Sequence, residues 1–146
     1  MRITRKVYDE IVCFFSDYCD TEQGGMLGSS TGMKIDIFVP DINPFKRTGN
    51  IYKPNVEVLN LHLEKWDNTN ILFCGMIHSH LTNTPKLSLA DEHYIRKILG
   101  ALQINRMLWF PIVLYMKEGI EIVPYKIEYN ITKNSIQSYR EYLFVE

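Results

Sequence analysis

The stretch NILFCGMIHSHLTNTPKLSLAD, residues 70–91, decides how the chain is read. Its first half, Asn70 to His80, is an apolar run that ends in two histidines, and this predicts a buried strand. Side chains alternate between the two faces of a strand, so His78 and His80 project from one face and Ser79 from the other, where it is expected to pack. Two imidazoles at i and i+2 can converge on one metal ion. A histidine near a strand end is also an ordinary satisfied core residue, and for the pair alone both readings stand. Ser88-Leu89-Ala90-Asp91 reads two ways as well. It has the form of a capping box ahead of the apolar run Tyr94 to Leu102, and it sets a carboxylate where a helix N-terminus keeps it ionised for a cation. Together, His78, His80 and Asp91 supply three nitrogen and oxygen donors and leave a fourth position for water, the composition of an open zinc site. Cys74 shares the parity of His78, but four strand residues put it about 13 Å away. His62 falls in a predicted helix and His93 lies about 200° around its helix from Asp91, so neither is expected to ligate.

Outward from this segment, helices and strands alternate. Arg5 to Tyr18 sets Val7, Ile11, Phe14, Phe15 and Tyr18 on one helical face. A polar, glycine-rich break follows from Asp20 to Gly25. Strands are expected at Met26–Ser29 and Met33–Val39, around a turn at Ser30-Thr31-Gly32. Asp41 to Asn55 holds Pro44, Gly49 and Pro54 and reads as a loop long enough to be functional. A second helix covers Val56 to Trp66 with Val58, Leu61 and Trp66 inward, and a third covers Ser88 to Leu102. Strands at Met107–Met116 and Glu121–Tyr129 join through Lys117-Glu118-Gly119, and Pro111 favours an edge or a bulge. A short helix is expected near Ser135 to Leu143. The order predicts an α/β fold: one layered domain over residues 1–146, with a mixed β-sheet flanked by helices.

The chain has 146 residues, 46% hydrophobic and 23% charged, which suits one domain able to bury its own core. Sixteen basic and seventeen acidic side chains give a net charge of -1, so no basic field exists to hold nucleic acid. Cys13, Cys19 and Cys74 cannot all pair within the chain and read as free thiols of a reducing cytosol. Asp9, Glu10, Asp17 and Asp20 interrupt any secretory apolar region. The longest apolar run, Met107 to Met116, falls far short of the ~20 residues that span a bilayer. A cytoplasmic protein with no membrane partner is expected.

His78-Ser-His80, seven residues, Ser88, two residues and Asp91 together resemble the JAMM motif of the JAB/MPN metallopeptidases. Glu22-Gln-Gly24-Gly25-Met-Leu27-Gly28 is similar to the glutamate-glycine-glycine signature of that family, and the order of elements agrees from about residue 4 to residue 127. One departure is Leu81, where many members carry proline; it bears on the stiffness of the following loop.

The resemblance implies a JAB/MPN-like fold and a zinc metallopeptidase of the compact prokaryotic type. One zinc ion (Zn2+) would be held by His78, His80 and Asp91, lowering the pKa of its water toward ~7. Glu22 would accept the water's proton and return it to the leaving amine. Ser88 would donate a hydrogen bond to the developing oxyanion. Gly24 and Gly25 would let backbone pass close to the metal or substrate, and the Asp41–Asn55 loop would line a channel for an extended peptide tail. The implied substrate is a ubiquitin-like or sulfur-carrier-like protein or its conjugate, cut at its C-terminal tail, with activating or conjugating enzymes as further partners. Two other readings remain open here: a zinc amidase acting on a small peptide or cysteine adduct, and a metal-free MPN scaffold that only binds partner proteins.

Overall fold

Nine residues of one strand, Leu72 to His80, run through the middle of the sheet, and both cores are built against them. The structure, a computed structural model, describes residues 1–42, 51–102 and 107–146; residues 43–50 of the expected long loop lie outside the described residues. In chain order the elements are β1 (Arg2–Ile3), α1 (Arg5–Asp17), β2 (Gly24–Ser29), β3 (Ile37–Pro40), α2 (Val56–Asn68), β4 (Leu72–His80) and α3 (Leu89–Leu102). They continue as β5 (Leu108–Trp109), β6 (Ile112–Met116), β7 (Gly119–Val123), β8 (Tyr125–Asn130), β9 (Ser135–Arg140) and β10 (Phe144–Val145).

β4 pairs antiparallel with β2 on one side and parallel with β5 and β6 on the other. The sheet extends outward through β3 beyond β2, through β8 and β9 beyond β5, and through β7 beyond β6. The sheet is therefore mixed, with helices on both faces, as the alternating sequence predicts. α1 starts where the Thr4 hydroxyl accepts the Val7 N–H at 3.3 Å. It lays Val7, Ile11 and Phe15 on Leu27, Ile77 and Val113. Each such side chain, fully buried, is worth about 1.5–3 kcal/mol. The opposite face carries Met26, Met76 and Phe110 under Leu59 and Trp66 of α2 and Ile95 and Leu99 of α3. Adjacent residues Met26 and Leu27, or Met76 and Ile77, thus serve opposite cores, as the pleat requires. Among the described residues, no helix is long and apolar enough to cross a membrane.

Several expectations are corrected. The segment expected as a helix, Ser135 to Leu143, is strand over Ser135–Arg140, paired residue for residue with β8 from Tyr125 to Asn130. A turn through Asn134, at φ 46°, folds it back, and Ile136 packs on the α2/α3 core. In α2, Trp66 is buried as expected and Leu59 with it, whereas Leu61 is 65% and Val58 37% exposed; the inward stripe is 59, 63 and 66, turned about one residue from the expected phase. Pro111 marks neither an edge nor a bulge: it separates β5 from β6 beside β4, and its carbonyl accepts the His78 N–H at 3.2 Å. Met33 is 74% exposed, and the strand expected from there begins at Ile37, because Ser29 and Asp36 close a longer turn through the Lys34 carbonyl and the Ser30 N–H.

Parity along β4 is also not uniform. Between Leu27 and Gly28 the pairing with β2 shifts, so that Leu27 faces Gly75 and Gly28 faces Phe73. The extra residue reverses the alternation. Phe73 therefore lies in the core of Met76, while Cys74 packs against the α1 core, on the face opposite His78. Gly75 is needed there: its φ is +138°, and a Cβ would stand 1.7 Å from the Trp109 carbonyl oxygen.

Candidate metal centre

Beyond the bulge the alternation is regular, so His78 and His80 point together to the α3 face, each 7% exposed. Their Nε2 atoms stand 2.9 Å apart. The chain then turns through residues 81–88 toward α3. The Thr84 carbonyl lies 3.0 Å from His80 Nδ1, and the Pro85 carbonyl accepts the Tyr125 hydroxyl at 2.6 Å. Leu87 packs against the cores beneath.

α3 opens with the reciprocal box its sequence announces. The Ser88 N–H donates to Asp91 Oδ2 at 2.7 Å, and the Asp91 N–H donates to Ser88 Oγ at 3.1 Å. This cap aims the Asp91 carboxylate at the histidines, with Oδ1 at 3.2 Å from His78 Nε2 and Oδ2 at 3.2 Å from His80 Nε2. Burial pushes the Asp91 carboxyl up, but the neighbouring His78 and His80 and the Ser88 N–H outweigh it and hold the group far below the usual carboxylate range. Burial also works to lower the His80 pKa, but Asp91, the Thr84 carbonyl and the charge of Glu22 together raise it.

The donor set fits a divalent cation. A carbonyl only accepts, so the contact with Thr84 puts the proton of neutral His80 on Nδ1 and leaves a lone pair on Nε2. That lone pair faces the oxygen of Asp91 at 3.2 Å, two acceptors that need positive charge between them. The upward pull on His80 expresses the same demand met by a proton. Tetrahedral ligands about 2.0–2.1 Å from zinc stand about 3.3 Å from each other; the two imidazole Nε2 atoms are 2.9 Å apart, and each lies 3.2 Å from a different oxygen of Asp91. One donor atom from each of His78, His80 and Asp91 lies within 4.8 Å of the others. These residues could hold a metal ion with a fourth position open.

Glu22 arrives from the opposite end of the sequence by register. Gly24 pairs with His78, and Gln23 bonds Ser79 in both directions, its N–H to Ser79 Oγ at 2.9 Å and its carbonyl from the Ser79 N–H at 2.8 Å. Glu22 comes one residue before Gln23, ahead of the first residue of β2, and its charge acts on His80. Its Oε2 accepts the Tyr52 N–H at 2.9 Å. Ser79, expected only to pack, is fully buried and anchors the glutamate segment through Gln23. Tyr52 and Asp41 belong to the site although no motif in the sequence marks them. Tyr52 lies over His78 with ring centroids 6.5 Å apart and 19° between planes, and its hydroxyl reaches Asp41. The signal for it was the glycine pair: a Cβ at Gly24 would strike the Tyr52 ring at 2.3 Å. The room at Gly24 is thus filled by Tyr52 rather than by metal or substrate. His93 is exposed, and neither His62 nor Cys74 joins the triad among the described residues.

A solved structure from Desulfitobacterium hafniense aligns over 99% of this chain and 92% of its own, with a TM-score of 0.65 at 17% identity. A JAB1/MPN domain protein from Archaeoglobus fulgidus aligns over 99% of this chain and 98% of its own, with a TM-score of 0.51 at 16% identity. This is the JAB1/MPN fold. A third structure, described as JAMM, a metalloprotease-like zinc site in the proteasome and signalosome, covers all of this chain and 97% of its own at a TM-score of 0.51 and 16% identity. No family model and no curated protein matches the sequence. At these identities the likeness concerns the fold, and within this JAB1/MPN frame the triad sits at the end of the central strand.

Proposed function

We propose that this chain is a zinc-dependent peptidase or isopeptidase that cuts at the C-terminal tail of a ubiquitin-like or sulfur-carrier-like protein. The observation that carries the reading is the convergence of His78, His80 and Asp91, with Glu22 two residues before the Gly24–His78 pair and bonded to Tyr52, whose ring lies on His78. His78, His80 and Asp91 would hold the zinc, which when bound supplies Lewis acidity toward a carbonyl and makes water acidic enough to ionise near neutral pH. The Glu22 carboxylate would accept the proton of the attacking water and deliver it to the nitrogen of the leaving amine. The Ser88 oxygen accepts the Asp91 N–H, and its own O–H would donate to the oxyanion, so one hydroxyl both caps α3 and serves the reaction. Conjugating enzymes of the same modifier would be its partners. A cytoplasmic site of action is supported by the sparse, odd set of three cysteines, Cys13, Cys19 and Cys74.

The test pairs zinc analysis with a panel of fused ubiquitin-like proteins, read by mass. Wild type is expected to bind one zinc and release a tail fragment from at least one fusion. Glu22→Gln is expected to keep zinc and fold while losing turnover by a factor of about 10² or more. Hydrolysis by Glu22→Gln near the wild-type rate would remove Glu22 as the base. A zinc-free preparation that His78→Ala leaves unaltered in every respect would leave a binding scaffold.

A further inference from the structure

Four of the contacts around the triad meet on one residue outside it. Tyr52 gives its N–H to Glu22 Oε2 at 2.9 Å, lays its ring along His78, and gives its hydroxyl to Asp41 Oδ2 at 2.8 Å. The fourth contact is with Gly24, whose missing side chain makes the space the ring occupies. Asp41 is fully buried and is itself fastened: the Asn55 N–H donates to the same oxygen at 2.9 Å, and its own N–H donates to the Gly24 carbonyl at 2.9 Å.

We infer that Tyr52 is a positioning residue, a strap moored in buried Asp41 that fixes the Glu22 carboxylate against the triad. The inference rests on the reading of Glu22 as the proton acceptor and extends it. A glutamate side chain has three rotatable bonds, and one on a loop before a strand samples many rotamers unless something holds its end. A backbone N–H is a stiff tether only where its own backbone is fixed. At Tyr52 the fixing is done from the far end of the same residue, by the hydroxyl on Asp41, and from its flank by His78. The strap thereby links the carboxylate that moves protons to one of the three donors.

Amide hydrogen exchange at Tyr52, followed by NMR in wild type, Tyr52→Phe and Glu22→Ala, tests this directly, with zinc titration and steady-state kinetics on the same proteins. Tyr52→Phe keeps the ring on His78 and removes only the mooring. The Tyr52 amide is expected to be protected in wild type and to exchange about tenfold faster in both variants, the effect of one lost hydrogen bond. Zinc affinity and KM stay at the wild-type level in Tyr52→Phe, while kcat falls about 10- to 100-fold through misplacement of Glu22. A residue that only held the fold together would not separate kcat from KM in this way. Wild-type exchange at Tyr52 in Glu22→Ala, or a wild-type kcat in Tyr52→Phe, overturns the inference. A wild type that binds zinc but hydrolyses nothing counts against the peptidase reading; the exchange rates still decide whether the strap holds Glu22.

Discussion

Gly24→Ala puts the packing around Tyr52 to a quantitative test. The new methyl carbon would lie 2.3, 2.6 and 2.7 Å from Tyr52 Cζ, Cε1 and Cε2, and its three nearest neighbours all belong to that ring. Carbon atoms rest about 3.5–4.0 Å apart, so the ring must retreat by more than ~1 Å. Overpacking of this kind costs about 1–3 kcal/mol, which for a domain of this size lowers Tm by roughly 2–4 °C per kcal/mol. An opposing term comes from the unfolded chain, because alanine there has less freedom than glycine, and this favours the variant by about 0.4–1 kcal/mol. The two terms separate in a double-mutant cycle with Tyr52→Ala. In that background the clash is gone, so Gly24→Ala becomes neutral or stabilising, and the coupling between the sites is expected to be about 1–3 kcal/mol. Urea and thermal melts of the four proteins measure it. An equal cost of Gly24→Ala with and without the tyrosine ring would refute the placement of Tyr52 and with it the strap.

Two further substitutions probe the frame. Asp91→Ala removes a metal donor and also the acceptor of the Ser88 N–H, so it is expected to abolish tight zinc binding in titrations and to lower metal-free stability by about 0.5–2 kcal/mol in urea melts; unaltered zinc affinity would reduce Asp91 to a helix cap. Gly75→Ala sets a Cβ 1.7 Å from backbone at a φ of +138°, with no flexible neighbour to yield. It is expected to destabilise by more than about 4 kcal/mol or to prevent folding, as read by circular dichroism.

What the sequence made legible was local. Of the five residues that the period of α1 set on one face, Val7, Ile11 and Phe15 are buried and Phe14 is half-buried, whereas Tyr18 at the helix end is exposed. Period two put His78 and His80 on one face, and the box Ser88–Asp91 is closed within four residues, so neither depends on the remainder of the fold. The residues that escaped depend on what lies next to them in space. Ser135 to Arg140 carries Ile136 and Tyr139 at a spacing that a helix would also accept, and only the partner strand β8 selects the extended form. The bulge at Gly75 is invisible as a pattern, yet it decides that Cys74 and His78 face different cores. Asp41 and Tyr52 stand eleven residues apart in a loop with no period, and the bond that joins them has no sequence signature.

The same logic explains why a glutamate 56 positions upstream of His78 can serve a site at the end of β4. A one-residue slip of β2 along β4 would carry Glu22 to the face of Ser79, away from the triad, so activity of the proposed kind requires register to be held more firmly than the hydrophobic pattern alone would hold it. Met26 and Leu27 resist the slip because each would enter the wrong core. The bulge resists it because only Gly75 tolerates the approach of Trp109. Ser79 resists it at the site itself, since its hydroxyl and its N–H grip Gln23 on both sides of one peptide position. The small polar residue between the two histidines therefore works on the opposite face from them, and what it fixes is the identity of the residue that faces the triad.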